Sequence, residues 1–196
     1  MRKGIRTQNY IAEKAAALFN TRGFAGTSMS DLLHATGLQN GGLYNHYPSK
    51  EALALAAFDF AVGKFKQRYA ETITNQHSAT NSLRAICTVM MRSYADPVVE
   101  GGCMVFNTAL ETDDAHPTLK ARAQEAMRDL LRFIEVQVKL GQRSGELRTE
   151  VDPRIVATII VSTCEGALGL SKLYDDAAYI QRAIAHLDSY IDNLKN

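Results

Sequence analysis

The chain has 196 residues, of which 46% are hydrophobic, 22% charged and 8% aromatic, with four prolines and no tryptophan. This composition excludes disordered, collagen-like and disulfide-scaffold proteins, and the length fits one ordinary domain or a small domain joined to a larger one. The formal net charge is +1. Residues 1–50 contribute +4, from six basic and two acidic side chains, and the remaining residues contribute −3. This distribution favours an anionic partner for residues 1–50, and a solvated basic tail is the alternative.

The first half of the chain predicts four helices. Apolar residues recur at helical spacing, and no alternating run predicts a strand. The first helix is predicted over about residues 7–21. The second follows Thr27, where Ser28-Met29-Ser30-Asp31 has the form of a capping box. The third begins near Gln39 or Asn40 and ends at Tyr47, because Pro48 disfavours helical geometry in the residue before it. Ser49 then caps a long fourth helix, from Lys50 to about Thr74.

Five further helices are predicted, which makes an all-α fold of about nine helices. Prolines mark the starts of two of them, because proline is tolerated in the first turn of a helix. The predicted bounds are a fifth helix that ends near Tyr94, a sixth within Cys103–Glu111, a seventh from Pro117 to about Ser144, an eighth from Pro153 to about Tyr174, and a ninth from Asp176 to the end.

The segment between Asp31 and Tyr47 has the outline of a helix-turn-helix, with a tight break at Thr36-Gly37-Leu38. In such a unit the first helix braces the second in the major groove, where base edges present a readable pattern of donors and acceptors. The second helix carries polar groups able to face DNA, namely Asn40, Tyr44, Asn45 and His46. Leu38, Leu43 and Tyr47 are predicted to face inward.

These residues resemble a known signature. The run Ala15-x-x-Leu18-Phe19, Gly23-Phe24, Thr27-Ser28-Met29, Leu32, Gly37-Leu38, Gly41-x-Leu43-Tyr44-x-x-Tyr47-x-Ser49-Lys50-Glu51-x-Leu53 resembles the DNA-binding signature of TetR/AcrR-type bacterial repressors. The resemblance implies a homodimer in which residues 1–50 form a helix-turn-helix domain that binds double-stranded operator DNA. Residues 51–196 would then form a larger helical domain that binds a small-molecule effector and dimerises.

The resemblance also implies roles for individual residues. Thr27, Tyr44 and Lys50 correspond to phosphate contacts, and Asn40 and His46 to base-edge or groove contacts. His46 has a solvated surface position as its alternative. Two residues depart from the usual pattern: Gln39 stands at a helix-opening position that is often serine, and Gly42 replaces a hydroxyl residue that often contacts DNA. The adjacent glycines Gly41 and Gly42 weaken a short helix, by about 0.5 to 1 kcal/mol each relative to alanine, and would let the backbone approach phosphate.

The last helix carries an apolar seam, because Ile180, Ile184, Leu187, Ile191 and Leu194 are spaced 4, 3, 4 and 3 residues apart. This seam packs either within its own chain or across a two-fold axis against a second copy. The resemblance favours the second alternative. The residues predicted at the dimer interface are Ile160, Thr163, Ala167 and Leu170 of the eighth helix and Ile184, Leu187 and Ile191 of the ninth.

An effector pocket lined by apolar residues is predicted among helices four to eight. Taken singly, each of these residues is more often part of the hydrophobic core than of a pocket. Asn107 is informative, because its helix is otherwise apolar around Met104-Val105-Phe106 and would need a reason for an amide. The residues predicted to line the pocket are Met90, Met91, Tyr94, Cys103, Phe106, Asn107, Met127, Leu131 and Ile134, with Glu111 and Gln137 as further polar groups.

The cysteines suggest a sensing function in addition to DNA binding. Three widely spaced cysteines, Cys87, Cys103 and Cys164, fit a reducing cytoplasm. The segment from Gly101 to Glu111 is similar to a G-C-x-x-x-N stretch in a TetR-type subgroup that includes repressors responding to reactive electrophiles, where the cysteine is the sensor. Cys103 would lie at a helix start that favours a thiolate. An inert, packed thiol is the alternative.

Other function classes have weaker support. A cysteine-dependent helical enzyme would use Cys103 or Cys164 with a histidine such as His116, but the sequence shows no catalytic triad order, phosphate loop or paired carboxylates. A helical protein-binding adaptor does not account for the basic first block. The chain lacks C-x-x-C and H-E-x-x-H spacings, so no metal and no cofactor are predicted. No uninterrupted apolar run reaches membrane-spanning length and no hydrophobic leader follows Met1, so a cytoplasmic protein is expected.

Overall fold

The computed structural model describes residues 3–112 and 116–196, and within these ranges it contains nine α-helices and no strand. The predicted all-α class is therefore confirmed. Arg2, part of the basic block, lies outside the described residues. The helices are α1 (Lys3–Gly26), α2 (Met29–Thr36), α3 (Asn40–Tyr44), α4 (Lys50–Thr74), α5 (Ala79–Arg92), α6 (Met104–Glu111), α7 (Pro117–Arg143), α8 (Pro153–Tyr174) and α9 (Ala178–Asp192).

Three helices differ from the predicted bounds by three or more residues, and one of these is α9, which ends at Asp192 and not at the end of the chain. Helix α1 continues to Gly26 across a kink at Gly23, whose φ of 76° and ψ of 168° are not helical. Helix α3 ends at Tyr44, three residues before Tyr47, and is only five residues long. Its two glycines lower its helix propensity, and no cap hydrogen bond from Gln39 compensates for them.

Local hydrogen bonds define both ends of α2 and the turn that leads into α3. At the start of α2, Ser28 accepts a hydrogen bond from the backbone N–H of Asp31 while the Asp31 carboxylate accepts one from the backbone N–H of Ser28, which completes the predicted capping box. At its end Gly37 has a φ of 66° and donates its N–H to the carbonyl of His34. This left-handed cap, which glycine adopts at little cost, turns the chain sharply into α3.

The chain divides into two compact units. The first comprises the residues up to Phe65 together with Pro97–Ala126, and the second comprises Lys66–Asp96 and Met127–Asn196. Helix α6 therefore belongs to the same unit as the helix-turn-helix. The core of the first unit contains the fully buried residues Ile11, Leu32, Leu43, Leu53 and Phe58.

The second unit has its own core, which includes Leu83, Ile86, Ile134 and Val138. Cys87 and Cys164 also lie in this core. The hydrogen bond with the Cys87 thiol and the burial of both residues raise the pKa of Cys164 far above its usual range, so this thiol stays protonated and unreactive.

Helix α8 is long and apolar enough to cross a membrane by length and composition, but half of its apolar 18-residue stretch is buried in the protein. Core helices of water-soluble proteins meet the same criterion. The feature is therefore weak evidence for a membrane span.

Glu146 holds the start of α5. Its carboxylate accepts hydrogen bonds from the backbone N–H groups of Ala79, at 2.7 Å, and Thr80, at 2.9 Å, and from the Thr80 hydroxyl. Burial alone would raise the pKa of this carboxyl, but the hydrogen bonds from Thr80 and Ala79 outweigh burial and lower the pKa below the usual 4.5.

We expect Glu146→Gln to lower the free energy of unfolding at pH 7 by about 1 to 3 kcal/mol, since charge-assisted hydrogen bonds are lost. The folded-state pKa is depressed, so the native carboxylate contributes stability that is fully present above pH 4.5 and is lost as the pH falls through the lowered value. Urea unfolding between pH 7 and pH 3 should therefore show a shallower pH dependence for Glu146→Gln. The exposed Glu150→Gln is the control, and equal losses for both variants would contradict the role of Glu146.

Candidate nucleic-acid interface

One side of α3 packs against the rest of the helix-turn-helix, and the other side is exposed to solvent. Leu32 of α2 and Leu43 of α3 are fully buried. Tyr47 is half-buried and its hydroxyl donates to the Gln8 carbonyl at 3.2 Å, while burial raises its pKa. These contacts fix α3 against α1 and α2, so the polar side of α3 faces solvent.

The polar residues predicted to face DNA are placed on this open side. Asn40, Gly41 and Asn45 are exposed, and His46 is half-buried. The side chain of Tyr44 is 47% exposed, so its phenol is accessible and is not core. Nothing in the structure tests the contacts of these residues with DNA, and their roles stay predictions.

Lys50 lies at the start of α4, where the Ser49 hydroxyl accepts from the backbone N–H of Ala52 at 3.0 Å. The Lys50 Nζ atom is 4.3 Å from the centroid of the Phe24 ring. Phe24 in turn contacts His116 edge-on, with the ring centroids 4.4 Å apart. This cation–π contact holds the ammonium group beside the positive end of the α4 dipole, where an anion is favoured.

Thr27 does not have the exposure that its predicted phosphate contact requires. Its side chain is completely buried and its hydroxyl donates to the Gly23 carbonyl at 2.7 Å. The prediction of a phosphate contact by the Thr27 side chain is therefore wrong. The hydroxyl instead closes the turn that joins α1 to α2.

An ion pair flanks the helix-turn-helix. Arg22 lies 3.0 Å from the Asp31 carboxylate. The pKa of Asp31 is lowered, first by its hydrogen bonds with Ser28 and further by Arg22. The side chain of Arg22 is 54% exposed and that of Asp31 is 34% exposed, so this pair at the protein surface adds little to stability.

Asn107 is part of a network between α6 and α1. Its amide nitrogen donates to the Asn20 side chain at 2.9 Å and to the Gly101 carbonyl at 3.0 Å. Asn20 is buried, and its own amide donates to the carbonyls of Glu100 and Gly102. The Asn107 amide therefore fixes the start of α6 against α1. Its N–H donors are used in these contacts and are not directed at an effector.

Glu111 forms a second link between the same two helices. Its carboxylate accepts from the backbone N–H groups of Phe24 at 2.8 Å and Ala25 at 2.9 Å. A Cβ atom on Gly23 would lie 2.5 Å from the Glu111 Oε1 atom. The kink at Gly23 thus needs glycine both for its positive φ and for the approach of this carboxylate. No local sequence signal could have paired Glu111 with Phe24, because the two residues are 87 positions apart.

A small cavity of about 20 Å³ lies in the first unit beside Glu111. Its walls include Phe19, Phe58, Met104 and Thr108. This volume admits about one water molecule and is too small for an organic effector.

The residues predicted for an effector pocket divide between the units. Met90, Met91 and Ile134 are buried in the core of the second unit, and Tyr94, Met127 and Leu131 pack partly buried against it. Cys103, Phe106 and Asn107 belong to the first unit and are half-buried. The effector pocket remains a prediction, without Asn107 as an orienting donor.

The predicted dimer residues also separate into two groups. Ile160, Ala167, Leu187 and Ile191 lie in the core of the second unit, each 6% exposed or less, so they have almost no surface to offer a second chain. The apolar seam therefore packs within its own chain, which is the alternative that the spacing left open. Thr163 and Ile184 are half-buried, and Leu170 is exposed.

Comparisons with known proteins give a consistent result. Residues 11–57 match the family model described as bacterial regulatory proteins, tetR family. Residues 79–187, more than half of the chain, match the model described as tetracyclin repressor-like, C-terminal domain. A crystal structure of a TetR transcriptional regulator from Chloroflexus aurantiacus J-10-FL is 39% identical with a TM-score of 0.95, and the match covers 100% of this chain and 98% of that chain.

Two repressors are similar over most of their lengths. The HTH-type transcriptional repressor DhaR of Mycobacterium sp. (strain GP1) is 24% identical over 82% of this chain and 80% of its own. The HTH-type transcriptional repressor NemR of Escherichia coli (strain K12) is 19% identical over 94% of each chain. A crystal structure of NemR in its reduced form has a TM-score of 0.84 over 97% of each chain, and at this identity the likeness concerns the fold.

Proposed function

The chain belongs to the TetR family of bacterial regulatory proteins, and from this premise we propose that it represses transcription by binding operator DNA as a homodimer through α2 and α3. The observation that carries the proposal is the exposed polar side of α3, braced from behind by the buried Leu32 and Leu43. We place the protein in the cytoplasm, where its DNA is found.

Five residues of the predicted interface have roles in this proposal. Lys50 and Tyr44 bind backbone phosphates and position the protein on the duplex, whereas Asn40 reads a base edge. Gly41 allows the backbone to approach the DNA, and His46 lies beside the groove. Repression follows because a bound dimer occupies DNA that the transcription machinery needs.

Lys50→Ala should weaken binding to specific and random duplexes alike and should flatten the slope of log Kobs against log salt by about one unit, because one phosphate contact is lost. Fluorescence anisotropy at several salt concentrations measures both quantities. Lys64→Ala is the matched control, since Lys64 is an exposed lysine of the same helix. Identical salt slopes for the two variants would remove Lys50 from the interface.

The homodimer is proposed to form through the exposed side of α8. Ile155, Leu170, Leu173 and Tyr174 are large apolar residues of this helix that remain exposed in the single chain. Gly166 lies on the same side, and a Cβ atom there would meet nothing within 4 Å. The chain's own packing thus gives no reason for this helix-weakening residue, whereas the close approach of a second helix does.

An effector is proposed to release the repressor by favouring a geometry in which the two copies of α3 no longer match successive major grooves, about 34 Å apart. Asn107 and Glu111 support this proposal, because they tie α6 to α1 within the unit that binds DNA. A small molecule or a reactive electrophile is the proposed effector. Catalysis by Cys164 has no support, since this thiol is completely buried.

Cys103 is the proposed target of an electrophile. It is half-buried at the start of α6, whereas Cys87 and Cys164 lie in the core of the second unit. N-ethylmaleimide at neutral pH should therefore label Cys103 first, as read by mass spectrometry, and should weaken operator binding. Cys103→Ser should retain binding and lose the response. Slow labelling of all three thiols would return Cys103 to a packing role, and fast labelling with unchanged affinity would show an accessible thiol without a regulatory role.

A further inference from the structure

The exposed surface of α3 and its flanking residues carries three carboxamides, on Gln39, Asn40 and Asn45, and all three residues are exposed. No lysine or arginine occurs anywhere from Thr27 to Ser49. The cations next along the chain are Arg22, which pairs with Asp31, and Lys50, which lies over Phe24. The hydrogen-bonding chemistry of this surface is therefore dominated by neutral amides.

The Gln39 amide is not used by the fold. Gln39 occupies the N-cap position of α3 with an extended backbone, yet its side chain makes no cap hydrogen bond. The cap side chains of α2, α5 and α8, which are Ser28, Ser78 and Asp152, all make one. Among residues 3–112 and 116–196, the side chains of Gln39 and Asn40 have no hydrogen-bond partner.

In the major groove, side-chain amides and cations are complementary to the edges of different bases. Guanine presents two acceptors, O6 and N7, and is read most often by arginine or lysine. Adenine presents the N7 acceptor beside the N6 amino donor, so a carboxamide satisfies both by donating its N–H to N7 and accepting from N6 with its oxygen. A surface with several free carboxamides and no cation is thus complementary to adenine.

We infer that Gln39 and Asn40 together read adenines in each half-site, and that Gln39 is a specificity-determining residue of this interface. The inference rests on the proposed DNA-binding function and adds the chemical class of sequence that is recognised. Gly41 supports it, because a Cβ atom there would meet nothing within 4 Å and the missing side chain leaves the neighbouring amides room to reach the groove.

The test begins with selection of tight-binding duplexes from a randomised pool by the purified full-length protein. In a selected duplex, single purines are then replaced by 7-deazaadenine or 7-deazaguanine, each of which loses the N7 acceptor. We expect 7-deazaadenine at two positions of each half-site to weaken binding, by about 5- to 150-fold for a lost bidentate contact. In the same half-sites 7-deazaguanine should change affinity less than twofold.

Variants connect each sensitive base to a residue. Gln39→Ala and Asn40→Ala should each abolish the 7-deazaadenine effect at one of the two positions and leave the other intact. Asn40→Asp should change the selected base at its position from adenine to cytosine, because a carboxylate accepts from the cytosine N4 amino group. Gln124→Ala, which removes an exposed carboxamide on α7, should leave both effects unchanged.

The possible failures are distinguishable. If the sensitive purines are guanines, or if Gln39→Ala retains both adenine effects, the inference is overturned while DNA binding itself stands. If no duplex is enriched from the pool, the proposed function fails and the inference fails with it.

Discussion

Gly166→Leu should leave the protein monomeric with its helical content intact. A Cβ atom at Gly166 would meet nothing within 4 Å, and leucine is a better helix former than glycine, so we expect the single chain to fold as before. A second copy of α8 that packs closely at Gly166 would be displaced. Operator affinity should then fall by a factor on the order of 10² or more, because two linked half-site contacts become one.

Sedimentation velocity and circular dichroism measure the two parts of this result. Gly63→Leu is the matched control, because Gly63 is also a helical, exposed glycine at which a Cβ atom would meet nothing within 4 Å. It should leave the oligomeric state unchanged. A dimer that persists in Gly166→Leu would place the interface elsewhere.

Gly23→Ala should lower the free energy of unfolding by about 2 to 6 kcal/mol. A non-glycine residue at the observed φ of 76° and ψ of 168°, a region that is essentially restricted to glycine, costs about 1 to 3 kcal/mol. The new methyl group would also displace the Glu111 carboxylate from the backbone N–H groups of Phe24 and Ala25, which loses about 1 to 3 kcal/mol of charge-assisted hydrogen bonding.

A second glycine separates these two contributions. Gly37 has a φ of 66° and a ψ of 18°, in the left-handed helical region, and a Cβ atom there would meet nothing within 4 Å, so Gly37→Ala should show only the backbone cost of that region, about 1 to 2 kcal/mol. In a Glu111→Ala background the cost of Gly23→Ala should fall to its own backbone cost, about 1 to 3 kcal/mol. Urea unfolding of Gly23→Ala, Glu111→Ala, the double variant and Gly37→Ala measures these costs. An unchanged cost of Gly23→Ala in the Glu111→Ala background would argue against the Glu111 link.

The local part of the architecture was predictable from the sequence. The capping box of Ser28 and Asp31 and the inward position of Leu43 depend on residues within a few positions of each other, so spacing alone identifies them. The same holds for the helix starts at Pro117 and Pro153. Family resemblance added the DNA-binding surface, of which Asn40 and Tyr44 are exposed as expected.

The long-range part was not predictable. Asn107 and Glu111 looked like pocket residues because their partners, Asn20 and Phe24, lie 87 positions away. A motif match also cannot distinguish a hydroxyl that faces phosphate from one that closes a turn, and Thr27 does the second. Likewise an apolar seam shows that a helix face is buried without showing what buries it, so the seam of α9 was assigned to a second chain although its own chain covers it.

A footprint of the purified full-length protein on the DNA upstream of its own gene tests the central claim most directly. We expect protection of two similar half-sites related by a dyad, with centres one helical turn or a multiple of one turn apart, and loss of this protection in Lys50→Ala at the same protein concentration. Uniform coverage of that DNA without a preferred sequence, or no protection at all, would contradict a repressor that reads its operator with α3.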